Sequence, residues 1–157
     1  MGKTKVGAAV PHFNLPATGE QQIDLVSLRG KNVVLYFYPR DNTPGCTSES
    51  CDFKKHHLKF RRRNAVVIGI SRDSLASHEK FKAKYGLPFD LISDADEKAG
   101  KLFDVIKEKN LYGHKHMGIE RSTFLIDARG ILRCEWRKVK VKGHVEDVLE
   151  ALRSINT

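Results

Sequence analysis

VVLYFYPRDNTPGCTSESC, residues 33–51, is the stretch on which the reading of the fold turns. Its first six residues form an unbroken apolar run, Val33 to Tyr38, that Pro39 ends. Such a run predicts a strand buried on both faces. Thr43, Pro44 and Gly45 then carry the signals of a helix start. They offer an N-cap hydroxyl, a first-turn proline with no N–H to lose, and a residue that lets the backbone approach a ligand closely. Cys46 and Cys51, two of the three cysteines, follow within that helix. A strand feeding a helix through a short loop is where α/β folds place their ligands.

The pattern continues outward from this segment. Residues 46–60 fit one helix, with Phe53, Leu58 and Phe60 among its apolar positions. Residues 65–71 read as a second buried strand, and 74–85 as a helix stopped by Gly86. A short strand is expected at 89–93, a short helix at 97–103, and a loop over 107–116. Residues 122–127 form a strand that turns at 128–130 into a half-buried strand at 131–137, with Leu132, Cys134 and Trp136 on one face. A helix over 145–152 closes the chain. Pro11, Pro16 and Gly19 suggest an added N-terminal hairpin. Alternating strands and helices followed by a β-hairpin imply an α/β thioredoxin-like fold with a mixed central sheet flanked by helices. With no linker or repeat, residues 1–157 read as a single domain.

Composition narrows the function. The 28 Lys and Arg residues outnumber 19 Asp and Glu, for a net charge of +9. The densest basic block, residues 59–63, falls where a helix should end and the helix dipole favours cations. The remaining basic residues are dispersed, so the charge reads as solvated surface and nucleic acid is not expected as a partner. No apolar run approaches the roughly 20 residues of a membrane helix, and the N-terminal segment lacks the apolar core of a secretory signal. The cytoplasm is therefore the expected location. Structural disulfides are rare there, so paired cysteines point to catalysis, redox sensing or metal.

The spacing of Cys46 and Cys51 constrains the chemistry. Five residues along a helix rise about 7.5 Å and rotate about 140°, which puts the two Cα atoms roughly 8–9 Å apart. A disulfide needs Cα atoms within about 7 Å, so the pair can bond only if at least a turn unwinds. Cys46 lies in the first turn, where unpaired N–H groups and the helix dipole favour a thiolate. Glu49 reads as an acid complementing that dipole, and Cys134 as a core thiol. The pairs His56–His57 and His114–His116 lack a convergent second half, so no metal site is expected.

Three motifs carry a family resemblance: residues 36–53 with their TPGCT core, residues 117–127 (MGIERSTFLID), and residues 136–144 (WRKVKVKGH). Together they resemble the bacterioferritin comigratory protein, or peroxiredoxin Q, family over nearly the whole chain. The resemblance implies a thiol peroxidase that needs no cofactor. It implies that Cys46 is the peroxidatic cysteine and that Pro39, Thr43 and Arg121 shield, hydrogen-bond and charge-stabilise it. It implies that Cys51 is a resolving cysteine that forms an intramolecular disulfide with Cys46. The expected partners are a peroxide and a thioredoxin or glutaredoxin-type reductant, and the expected state is a monomer. Two other readings of the residues stay open: a thioredoxin-type disulfide exchanger, against which the spacing argues, and a basic nucleic-acid-binding or chaperone-like protein whose cysteines only sense oxidation.

Overall fold

The computed structural model describes residues 2–155. A seven-stranded sheet forms its centre, in the order β2-β1-β5-β4-β3-β8-β9. The strands are β1 (Asn14–Ala17), β2 (Gln21–Asp24), β3 (Asn32–Phe37), β4 (Ala65–Ser71), β5 (Asp90–Ser93), β8 (Ser122–Ile126) and β9 (Leu132–Trp136). β3, β4 and β5 run parallel, whereas β8 lies antiparallel beside β3 and β9 beside β8. β1 and β2 form the expected N-terminal hairpin, which joins the sheet at β5.

β3 shows why the apolar run is continuous. Val33, Leu35 and Phe37 enter one core, and Val34, Tyr36 and Tyr38 enter the other. The second core is covered by α1 (Pro44–Lys55), α2 (His57–Arg62), α3 (Leu75–Tyr85) and α5 (His144–Ile155), which contribute Phe53, Phe60, Phe81 and Val148. The first is closed by α4 (Lys98–Leu102) and the N-terminal segment, with Ala99, Phe103 and Phe13. Gly69 of β4 is a packing requirement. A Cβ there would lie 2.7 Å from Leu91 and 2.8 Å from the Tyr36 ring. Its absence lets Tyr36 reach under α1, where the ring stacks on Phe53 and the hydroxyl meets Ser50 at 2.9 Å.

Three expectations change. The helix expected over 46–60 is two, broken at His56, whose ring pairs with Glu146 of α5 at 3.0 Å. The loop expected at 107–116 is a hairpin of β6 (Ile106–Leu111) and β7 (His114–Ile119). Its two-residue turn, Tyr112-Gly113, has φ of 52° and 81°, the primed geometry that matches strand twist. Finally, Leu132 does not share a face with Cys134 and Trp136. A bulge pairs Leu125 with Cys134 and Ile126 with Leu132, leaving Arg133 extra. Leu132 therefore enters the first core while Cys134 and Trp136 pack against the second.

Candidate active site

The site lies at the C-terminal ends of the parallel strands. β3 stops at Phe37, residues 38–43 turn outward, and α1 begins at Pro44. Thr43 is the N-cap residue with extended backbone (φ −86°, ψ 152°), and proline occupies the first turn. Its hydroxyl does not cap the helix. It donates to the carbonyl of Arg40 at 2.9 Å, which closes the loop on itself. Pro39 and Thr43 are half-buried, Cys46 is buried and Cys51 is intermediate. All three cysteines are free, and Cys46 and Cys51 lie in the one helix α1.

Arg121 comes to this helix from 75 residues away. Ser122, the first residue of β8, pairs with Phe37, the last residue of β3, so the antiparallel register sets Arg121 beside the loop. Its Nη2 donates to Cys46 Sγ at 3.3 Å, and its Nη1 to Glu49 Oε1 at 2.7 Å. Gly45 makes room for the fork: a Cβ there would lie 3.1 Å from Nη2. A guanidinium at this place can donate to a developing oxyanion. Burial works to lower the Arg121 pKa, but the negative charges of Glu49 and Cys46 outweigh it and raise it.

Glu49 is not the first-turn, dipole-complementing acid expected from sequence. Its side chain is fully buried against Arg121, and Oε2 has no hydrogen-bond partner among the described residues. Burial pushes its carboxyl up to about 7, against the opposing pull of Arg121. The signal for this was present. Cys46, Glu49, Ser50 and Phe53 recur at helical spacing and form the buried stripe of α1. Cys51 falls off that stripe.

A second group missed in sequence is Lys109 on β6. Burial, then the nearby charges of Arg121 and Arg72, lower its pKa. Arg72 is itself tied to the hairpin, donating to the Met117 carbonyl at 3.3 Å. The β6–β7 hairpin thus brings Lys109 within electrostatic reach of Arg121 and Cys46. His144 backs α1 from behind, its ring edge-on to Phe53 and Trp136 and its Nε2 2.7 Å from Thr123 Oγ1.

Residues 6–134 match the AhpC/TSA family. Peroxiredoxin Bcp of Bacillus subtilis (strain 168) is 48% identical over 152 residues, 97% of each chain. A putative peroxiredoxin bcp of Coxiella burnetii is 47% identical over 148 residues, covering 94% of this chain and 98% of that one. Among solved structures, peroxiredoxin Q of Xanthomonas campestris superposes with a TM-score of 0.91 at 46% identity, covering 99% of both chains. A structure of the X. campestris bacterioferritin comigratory protein, from work on its alkyl peroxide reduction activity, has a TM-score of 0.91 at 44% identity over the whole of both chains.

Proposed function

The chain belongs to the AhpC/TSA family and is a thioredoxin-fold peroxiredoxin of the Bcp and peroxiredoxin Q kind, and on that premise we propose that Cys46 reduces hydrogen peroxide and organic hydroperoxides and is resolved by Cys51. The observation that carries this reading is the Arg121 fork, with one nitrogen on Cys46 Sγ and the other on Glu49. The guanidinium stands at hydrogen-bond distance from the attacking sulfur, where it can donate to the departing oxygen. The thiolate attacks the terminal peroxide oxygen, the O–O bond breaks, and the departing alkoxide takes a proton to leave as alcohol or water. Cys46 becomes a sulfenic acid. Pro39 shields the sulfur from solvent, Arg121 donates to a peroxide oxygen, and the Thr43 hydroxyl oxygen, whose proton goes to the Arg40 carbonyl, accepts from the peroxide O–H.

The first turns of α1 then unwind. The Cys51 thiol condenses with the sulfenic acid, water leaves, and the Cys46–Cys51 disulfide forms. A dithiol of the thioredoxin or glutaredoxin type attacks that disulfide through a mixed disulfide and restores both thiols. Neither metal nor cofactor takes part. The working unit in this proposal is a monomer, with residues 1–157 as one domain. No described helix is long and apolar enough to cross a membrane. We assign the enzyme to the cytoplasm, where thiol reductants are kept reduced.

The test is peroxide consumption driven by thioredoxin. Cys46→Ser should abolish it. Cys51→Ser should still react once with peroxide but form no intramolecular disulfide and lose thioredoxin-driven turnover. Full activity in Cys46→Ser would rule the mechanism out.

A further inference from the structure

Beneath the loop that joins β3 to α1 lies a buried polar cluster that the peroxide chemistry above does not use. Its centre is Asp41, whose side chain is 1% exposed, and His78, fully buried in the first turn of α3. One Asp41 oxygen accepts from the Tyr38 hydroxyl at 2.7 Å. The other accepts from Ser77 Oγ at 2.8 Å and meets His78 Nδ1 at 2.7 Å. The second ring nitrogen of His78 faces the Ile92 carbonyl on β5 at 2.9 Å. Both ring nitrogens of His78 are thus engaged, one by Asp41 and one by the Ile92 carbonyl. The Asp41 backbone N–H donates to Asp73 Oδ2 at 2.9 Å, and the same oxygen accepts from Ser71 Oγ at 2.6 Å. Burial raises the Asp41 pKa, but the hydrogen bonds from His78, Tyr38 and Ser77 prevail and lower it.

Ligand atoms of Asp41, Asp73 and His78 lie within 4.8 Å of one another, a spacing that could suggest a metal. The 2.7 Å contact between His78 Nδ1 and Asp41 Oδ2 argues for a proton instead. Two ligands of one tetrahedral zinc sit about 3.3 Å apart. The cluster therefore ties the ends of β3, β4 and β5 and the start of α3 to a single loop residue. Immediately after that residue, Asn42 takes a left-handed backbone (φ 64°) and Thr43 forms the N-cap of α1.

We infer that Asp41 and His78 are positioning residues for the peroxide step: the buried pair fixes residues 39–43 so that Thr43 presents a constant geometry to peroxide, while α1 beyond it stays free to unwind. The inference rests on the function proposed above. It separates the two halves of the cycle. Reaction with peroxide needs the oxygen-binding groups held to a fraction of an ångström, and a misplacement of 1 Å can cost about a hundredfold. Closure of the disulfide needs the first turn loosened, and Asp41 serves then as a fixed pivot.

The experiment is stopped-flow measurement of both steps in the full chain carrying Asp41→Asn, His78→Gln or both. Each single variant should lower the second-order constant for hydrogen peroxide by about tenfold or more. Disulfide closure should be unchanged or faster. The double variant should be no slower than the worse single, because the two residues act as one pair. If His78→Gln does not fold, the isosteric Asp41→Asn and the milder Ser77→Ala supply the same reading, with a smaller effect in the latter. Peroxide constants within twofold of the parent, with only a lower melting temperature, would overturn the inference. So would equal slowing of both steps. A parent chain that consumes peroxide while the variants match it sinks this inference alone, whereas an inert parent sinks the proposed function.

Discussion

At the scale of single residues, Glu49 holds the most consequential position that sequence reading misjudged. A carboxylate with one oxygen on Arg121 and the other unpaired is costly to bury, and a neutral carboxyl costs less. The rise from the ordinary 4.5 to about 7 expresses that balance. The native state therefore binds this proton more tightly than the unfolded chain does. The resulting stability is complete below about pH 4.5 and is lost as the pH rises through about 7. Glu49→Gln keeps an oxygen for Arg121 and removes the titration. Between about pH 5 and about pH 8 the parent should lose roughly 3 kcal/mol relative to this variant, read by urea unfolding of both at each pH. A difference independent of pH would refute the assignment.

At the scale of elements, the proposed cycle places two incompatible demands on α1. As a helix it sets Cys46 against Arg121, and as a helix it keeps Cys51 off the buried stripe. The roughly 8–9 Å between Cα atoms five residues apart exceeds what a disulfide spans. Stoichiometric peroxide should therefore reduce the far-ultraviolet helical signal by about one turn, roughly four residues, and dithiol should restore it. Cys51→Ser should keep its helical signal on oxidation. Retention of the full signal in a disulfide-bonded parent would contradict local unwinding. The other elements differed in legibility for physical reasons. β3 and β4 are buried on both faces, so their apolar runs announce them. β6 and β7 are a largely exposed ribbon rich in Lys and His, and the Tyr112-Gly113 turn lacks the usual Asn or Asp. Nothing in their hydrophobic pattern marks them as strands.

At the scale of the whole molecule, the site is assembled by strand order. β8 is antiparallel to β3, so the start of one abuts the end of the other and Arg121 arrives beside the Cys46 loop. Arg137, just beyond β9, serves the opposite core in a similar way. Its guanidinium lies 5.2 Å from the centre of the Phe124 ring and donates to the carbonyls of Phe103 and Asp104 at 2.8 Å each. Those carbonyls belong to the turn after α4, where Asp104 has a left-handed backbone (φ 55°). Arg137→Ala should destabilise the fold by about 2–3 kcal/mol through the loss of these charged hydrogen bonds, measured by urea unfolding. A change below about 0.5 kcal/mol would show that water replaces the guanidinium fully.

The amino-acid sequence alone determined the α/β alternation, the buried central strands, the helix opening at Thr43-Pro44-Gly45 and the place of both cysteines in it. These follow from periodicity and turn chemistry, which are local and written in adjacent residues. Tertiary structure alone decided which distant groups meet. It put Arg121 on Cys46, buried Glu49 under that arginine, joined Asp41 to His78, and used a bulge at Arg133 to turn Leu132 away from Cys134. Each of these depends on strand register or on the angle at which a helix crosses the sheet. Those are set by packing of the whole core, and no window of neighbouring residues contains them.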